Sequence, residues 1–270
     1  MKHKLLDMSW REAEEAFKRS DTVIFPTGTL HAHGPSPIGI DTTAPERLAD
    51  EVGRRTGLLT LPVVTYGEDD KMMRYPGSMA IDPHTLELYY TDIFRSLRRN
   101  GIRKVVVING HGGNKEALIR AGRRARDLGM LIAITEWWTT GPAVLPRIFT
   151  SKTIWFDEFM IALAIHGTEG ADIGRGTYSG EWGDNPTKKV YGDKIKAIIF
   201  NDAEFKGGPI TIPIDSWDID IPSPPEVKRS ELPALKKKGE KMIAAMADYL
   251  AEFAKEFEKV DVDKVFSKES

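Results

Sequence analysis

No cysteine occurs in the 270 residues. That rules out disulfides, thiolate zinc sites and a cysteine nucleophile, so any metal has to be held by histidine and carboxylate. An excess of one charge is equally missing: 38 Lys and Arg stand against 40 Asp and Glu. Such a balance gives no polyanion-binding surface and argues against a nucleic-acid partner. Long hydrophobic runs are absent too. VVVI (105–108) and MLIAI (130–134) fall far short of the ~20 apolar residues of a membrane span. The stretch MKHKLLDMSWREAEEAF turns charged before an apolar leader core develops. These features predict a soluble, cytoplasmic protein with no membrane partner. Histidine is scarce, six residues in all, which makes their positions informative.

What is present alternates between two periodicities. TVIFP (22–26), LLTLPVVT (58–65), KVVVIN (104–109) and MLIAITEW (130–137) are short, apolar and rich in β-branched residues, as strands buried on both faces are. Helical patterns separate them: APERLADEVGRRTG (44–57), DPHTLELYYTDIFRSLRRNG (82–101) with Asp82 as N-cap, and KEALIRAGRRARDLG (115–129). This order predicts an α/β fold, a mainly parallel sheet covered on both faces in three layers. Residues 141–230 read as long loops with short strands, and an amphipathic helix from SELPAL onward closes the chain. No linker or repeat divides residues 1–270, so one domain is expected.

The chemistry-bearing residues follow the strands. His31 and His33 come after the first, NGHGGN (109–114) comes directly after KVVVI, and TEWWTTGP (135–142) follows the next. Sites in open parallel sheets lie at the carboxyl ends of the strands, so these loops are expected to share one crevice. Taken singly, each residue has a plain explanation. An extended His-x-His can bond a backbone carbonyl, and Asp41 can cap the helix near Pro45. His111 is different, because its flanking glycines allow close approach of a ligand and leave the imidazole as the one functional group of the loop. The loop lacks the Lys-Ser/Thr ending of a P-loop, and no Gly-x-Ser-x-Gly elbow of a serine hydrolase occurs. IALAIHGTEGADIG (161–174) adds His166 and Glu169. His31, His33, Asp41, His111 and Glu169 together suit one or two divalent ions, zinc first, then manganese or iron. His3 and His84 read as structural.

These motifs resemble the creatininase (creatinine amidohydrolase) superfamily over about residues 5–255. GTLHAHGPSPIGID matches the pattern Gly-Ser/Thr-x-Glu-x-His-Gly-Pro followed by an aspartate, and NGHGGN is the most specific hexapeptide. YPGSMAID (75–82), HGTEGADIG and GEWGDNPTKKVYGDK (180–194) follow in family order. The resemblance implies a metal site at the sheet's carboxyl edge, with His33, Asp41, His111 and Glu169 as ligands and Asp41 bridging two ions. It implies His166 as the proton-transferring group and a homo-oligomer, often a hexamer. The departure is His31, which stands where the family has a ligating glutamate and brings no negative charge.

The expected chemistry is hydrolysis of a small, polar, cyclic carbonyl compound by metal-activated water, at an amide in the first instance. The alternative bond is the carbon–carbon bond of a cyclic ketone such as an oxidised inositol. A binding protein that kept the fold and lost the chemistry is the rival of another class. Trp137, Trp138, Trp155 and Trp182 either wall a substrate pocket or simply pack. Glu181 and Asp184 either accept hydrogen bonds from substrate or face solvent.

Overall fold

The computed structural model describes residues 2–73, 75–149, 154–169, 171, 173, 194–199, 202–213 and 227–267. The central sheet has four parallel strands, β1 (Thr22–Thr27), β2 (Leu59–Thr60), β3 (Lys104–Asn109) and β4 (Leu131–Glu136), in the order β2-β1-β3-β4. β1 and β3 pair along their whole length, from Thr22 beside Lys104 to Thr27 beside Asn109. Both are buried throughout, so their side chains must satisfy a helical layer on each face.

Alternation divides these side chains between two cores. Val23, Phe25, Val105 and Val107 pack with α1 (Trp10–Arg19), α3 (Pro83–Arg99) and α4 (Asn114–Arg126). There Phe25 meets Tyr90 and Phe94 edge to face, with centroids 6.0 and 6.2 Å apart. Ile24, Val106 and Ile108 face the opposite core, built from α2 (Ile40–Thr56), α5 (Trp137–Val144), α6 (Ile154–His166) and α7 (Leu232–Glu258). α6 and α7 touch backbone to backbone: a Cβ on Gly239 would stand 2.5 Å from the carbonyl carbon of Met160. Lys104, buried at the start of β3, donates to the Val260 carbonyl at 3.0 Å and so ties the chain beyond α7 to the sheet. α8 (Val262–Phe266) follows. Three antiparallel strands, β5 (Ile195–Ile199), β6 (Asp202–Phe205) and β7 (Gly208–Thr211), form a separate meander.

The three-layer α/β expectation is met, and local differences have physical causes. The strand predicted over 58–65 shrinks to Leu59–Thr60, because Pro62 cannot donate to a ladder, and Val64 keeps only an isolated bridge to Thr27. The apolar run at 161–165, expected to lead into a loop, belongs to α6. Helix α2 starts at Ile40, earlier than predicted, which places Asp41 in its first turn rather than at a cap. The outlying histidines make local contacts. His3 bonds Asp50 at 2.7 Å, and the His84 amide donates to its N-cap, Asp82. No helix among the described residues is long and apolar enough to cross a membrane.

Candidate metal centre

The chain runs from β1 to β2 on one side and then to β3 on the other, so the sheet's topological switch point lies between β1 and β3. The loops after these two strands therefore splay around one crevice. Gly28 and Gly110, the first residues beyond β1 and β3, both back onto the first turn of α2. A Cβ on Gly110 would lie 2.6 Å from Pro45 Cγ and 2.9 Å from the Asp41 carbonyl carbon. One on Gly28 would lie 2.6 Å from Thr42 Cα. The glycine before His111 is expected to admit a ligand; at Gly110 the approaching group is instead the backbone of α2. Helix and sheet edge are thus pressed together, and Asp41 projects into the crevice at a helix N-terminus, where negative charge is favoured.

Around Asp41 the structure gathers three imidazoles. His31 Nε2 lies 3.0 Å from Asp41 Oδ2, His33 Nε2 3.1 Å from Oδ1, and His111 Nδ1 2.8 Å from Oδ2. His31, His33 and Asp41 are each at most 4% exposed. The His31 and His33 rings touch, with centroids 3.9 Å apart. Period-two alternation places residues 31 and 33 on one side, as the extended His-x-His reading requires. His33 Nδ1 donates to the His31 carbonyl at 3.2 Å, which turns its Nε2 toward Asp41. The two asparagines of NGHGGN hold the loops. The Asn109 side-chain amide donates to the His111 carbonyl, and Asn109 Oδ1 accepts from Thr27 Oγ1. Asn114 donates to the Gly28 carbonyl and accepts from the Glu68 amide.

Two further carboxylates, which sequence reasoning missed, face this cluster. Asp69 Oδ1 is 3.6 Å from His31 Nδ1 and 3.9 Å from His111 Nε2, and Glu158 Oε2 on α6 is 3.8 Å from His33 Nε2. Both are buried. Neither belongs to a metal-binding motif; Asp69 sits in the acidic run GEDD, a pattern that usually means a solvated loop.

Burial dominates the protonation of these groups. It drives the His31 imidazole down to about 3, helped by the neighbouring His33 charge. Burial also opposes charge on His33, but Asp41 and Glu158 overcome it and raise this group to about 9. Asp41 resists its own burial through His33 and through the hydrogen bonds from His111 and His31, which hold it well below the usual carboxylate range. Asp69, pushed up by burial and by Asp41, and Glu158, pushed up by burial, each rise to about 8.

Of the residues expected at the site, four converge: His31, His33, Asp41 and His111. Glu169 is not among them. α6 runs to His166, and Gly167, at φ +84°, ends it. Glu169 ends in an exposed turn, outside the two donor groups close enough to share an ion among the described residues, His31–His33–Asp41 and His31–Asp69–His111. His166 is exposed at the end of α6, with Nε2 3.0 Å from the hydroxyl of Thr43, two residues beyond Asp41. Trp138 is partly buried against the core beside Trp137. Glu181, Trp182 and Asp184 lie outside the described residues, as does the Trp155 side chain.

Residues 6–169 match the Creatininase family, described as creatinine amidohydrolase. The chain belongs to the creatininase family. It is 28% identical to the creatinine amidohydrolase of Pseudomonas putida over 167 residues, 56% of this chain and 64% of that protein. It is 29% identical to the 3-dehydro-scyllo-inosose hydrolase of Thermotoga maritima over 107 residues, 39% of this chain and 34% of that one. The matched stretch thus spans less than two thirds of either relative. A solved structure described as "Creatininase Mn" superimposes with a TM-score of 0.66 at 20% identity, over 96% of this chain and all of that one. That likeness shows that this chain has the creatininase fold.

Proposed function

We propose that this creatininase-family chain is a metal-dependent hydrolase that cleaves a small, polar, cyclic carbonyl compound with water. The observation that carries the reading is the convergence of three imidazoles on the buried Asp41 carboxylate at the switch point of the sheet. The donor set fits a divalent ion of the zinc or manganese kind. His31 Nδ1, Asp69 Oδ2 and Glu158 Oε2 are buried without a hydrogen-bond partner among the described residues. Leaving such atoms unsatisfied costs about 1–3 kcal/mol each, a cost that a cation offsets.

When bound, a divalent ion acidifies water toward a pKa of ~7 and polarises a carbonyl. The protein does the rest. Asp41 stays ionised and fixed by three rings, His33 is locked by its bond to the His31 carbonyl, and Asn109 and Asn114 keep the two loops from parting. Glu158, rather than Glu169, supplies the buried carboxylate beside His33. His166, steadied by Thr43 at the exposed end of α6, delivers a proton to the leaving group. In an amide the carbon–nitrogen bond breaks, hydroxide stays on carbon and the proton goes to nitrogen.

A second reading, attack on a ring ketone with carbon–carbon cleavage, is favoured by the similarity to the inosose hydrolase. One experiment tests both. Metal analysis of protein purified without added metal precedes a hydrolysis screen of cyclic amides against hydroxylated cyclic ketones, with His111→Ala as control. Zinc or manganese at one or two equivalents, with turnover of one class that His111→Ala abolishes, is expected. Absence of bound metal and of turnover refutes the hydrolase reading and leaves a binding protein; turnover indifferent to His111 refutes the metal centre as the seat of the reaction.

A further inference from the structure

We propose that Asp69 is a metal ligand, and that with His31 and His111 it forms a seat for a second divalent cation beside the seat of His31, His33 and Asp41. The inference rests on the metal-centre reading above and goes beyond it in assigning this carboxylate.

Asp69 is 2% exposed, directly before a short helical turn at Asp70–Met72. Its Oδ1 faces two ring nitrogens, His31 Nδ1 at 3.6 Å and His111 Nε2 at 3.9 Å. These separations are too long for hydrogen bonds. A plain ion pair would close to the 2.8 Å that Asp41 reaches with His111. The spacing is instead near that of ligands sharing an ion, since zinc with bonds of about 2.0–2.1 Å sets tetrahedral ligand atoms about 3.4 Å apart. The polar atoms left over agree. Asp69 Oδ2 and His31 Nδ1 have no hydrogen-bond partner among the described residues, a costly arrangement for two buried groups side by side unless a cation lies between them.

His31 and His111 each turn one nitrogen to Asp41 and the other to Asp69. Both rings therefore stand between the two carboxylates, with a donor available on either side. Charge points the same way. With both seats filled, His31 ligates through both ring nitrogens as an imidazolate; it, Asp41 and Glu158 offset three positive charges, one short of two divalent ions in a buried crevice, and Asp69 adds the missing anion where the second set of nitrogens points.

The test reads metal, not turnover. Wild type, Asp69→Asn and Asp41→Asn are stripped with chelator and reloaded with cobalt or zinc. Ions per chain are counted by mass spectrometry, affinities are measured by competition with a chromophoric chelator, and circular dichroism checks the fold. Two ions per wild-type chain are expected. Asp69→Asn should lose one of them, or at least about tenfold of its affinity, together with that ion's cobalt absorption, and keep the other. Asp69→Ser serves if the amide is not tolerated. Wild-type stoichiometry and affinity in a folded Asp69 variant, alongside metal loss in Asp41→Asn, would overturn this proposal and leave the metal centre standing. Metal uptake indifferent to Asp41 would overturn both.

Discussion

Two glycines of the same loop should respond oppositely to the addition of one methyl group. Gly110 packs against Pro45 and the Asp41 carbonyl, so that an alanine methyl there would stand 2.6 and 2.9 Å from two carbons. Ordinary carbon contacts are about 3.5–4.0 Å, so α2 must retreat from the sheet edge by about 1 Å. Backbone and a proline ring bound the space, and no flexible side chain can swing away. Overpacking of this kind costs about 1–3 kcal/mol, which for a chain of this length lowers Tm by roughly 2–12 °C. The consequence for the site is sharper, because Asp41 moves with its helix and metal sites tolerate about 0.2 Å. Gly110→Ala should lose at least about tenfold in metal affinity. Gly112, two residues on, has nothing within 4 Å of its added methyl and no positive φ. There alanine should be neutral, or stabilise by up to about 1 kcal/mol through the unfolded chain. Calorimetry with and without zinc reads both effects. Equal metal affinity and equal melting temperatures in the two variants would refute the argument that Gly110 seats Asp41.

His31→Glu should retain metal or bind it more tightly, since it adds an anion beside Asp69, and should slow hydrolysis by weakening the ions' pull on the carbonyl; faster turnover in the variant would contradict this. Glu51, buried on α2, is ringed by Arg47 at 3.0 Å and by Arg54 and Arg55. Against the opposing effect of burial, Arg55, Arg54 and Arg47 lower its pKa. Its contribution is complete above the unfolded value of ~4.3 and is lost as pH falls through the lower folded value. Glu51→Gln should therefore cost about 1–2 kcal/mol at pH 7 and progressively less as pH falls through the lowered folded value, as denaturant titrations across that range would show. A homo-oligomer, expected from the family resemblance, should appear as a mass well above the 30.2 kDa of one chain in light scattering at micromolar concentration; a persistent monomer would count against it.

The sheet was legible because β1, β3 and β4 carry short apolar, β-branched runs, with helical periods between them. The loops after β1 and β3 were legible because His31, His33 and His111 have little structural purpose in such surroundings. α6 was not. Its buried IALAI segment has no amphipathic period, so nothing in it distinguishes a helix from a strand. Missing α6 also hid Glu158, whose approach to His33 depends on the helix around it. Asp69 was obscured for another reason: a carboxylate in an acidic run gives no sign of burial until the fold brings His31 and His111 over it.

The backbone contact of Gly239 with Met160 gives the site a history during synthesis. All three imidazoles around Asp41 have left the ribosome well before the end of the chain has, yet α6, which presents Glu158, and α7, which packs against it, come later. At about 5–20 residues per second the interval is on the order of ten seconds. Through it Ile24, Val106 and Ile108 have only α2 and α5 over them, and a nascent chain could meet metal at an incomplete site. A chain released before α7 should therefore aggregate through the part of this core that α7 would cover, even though it carries nearly every group that can hold an ion.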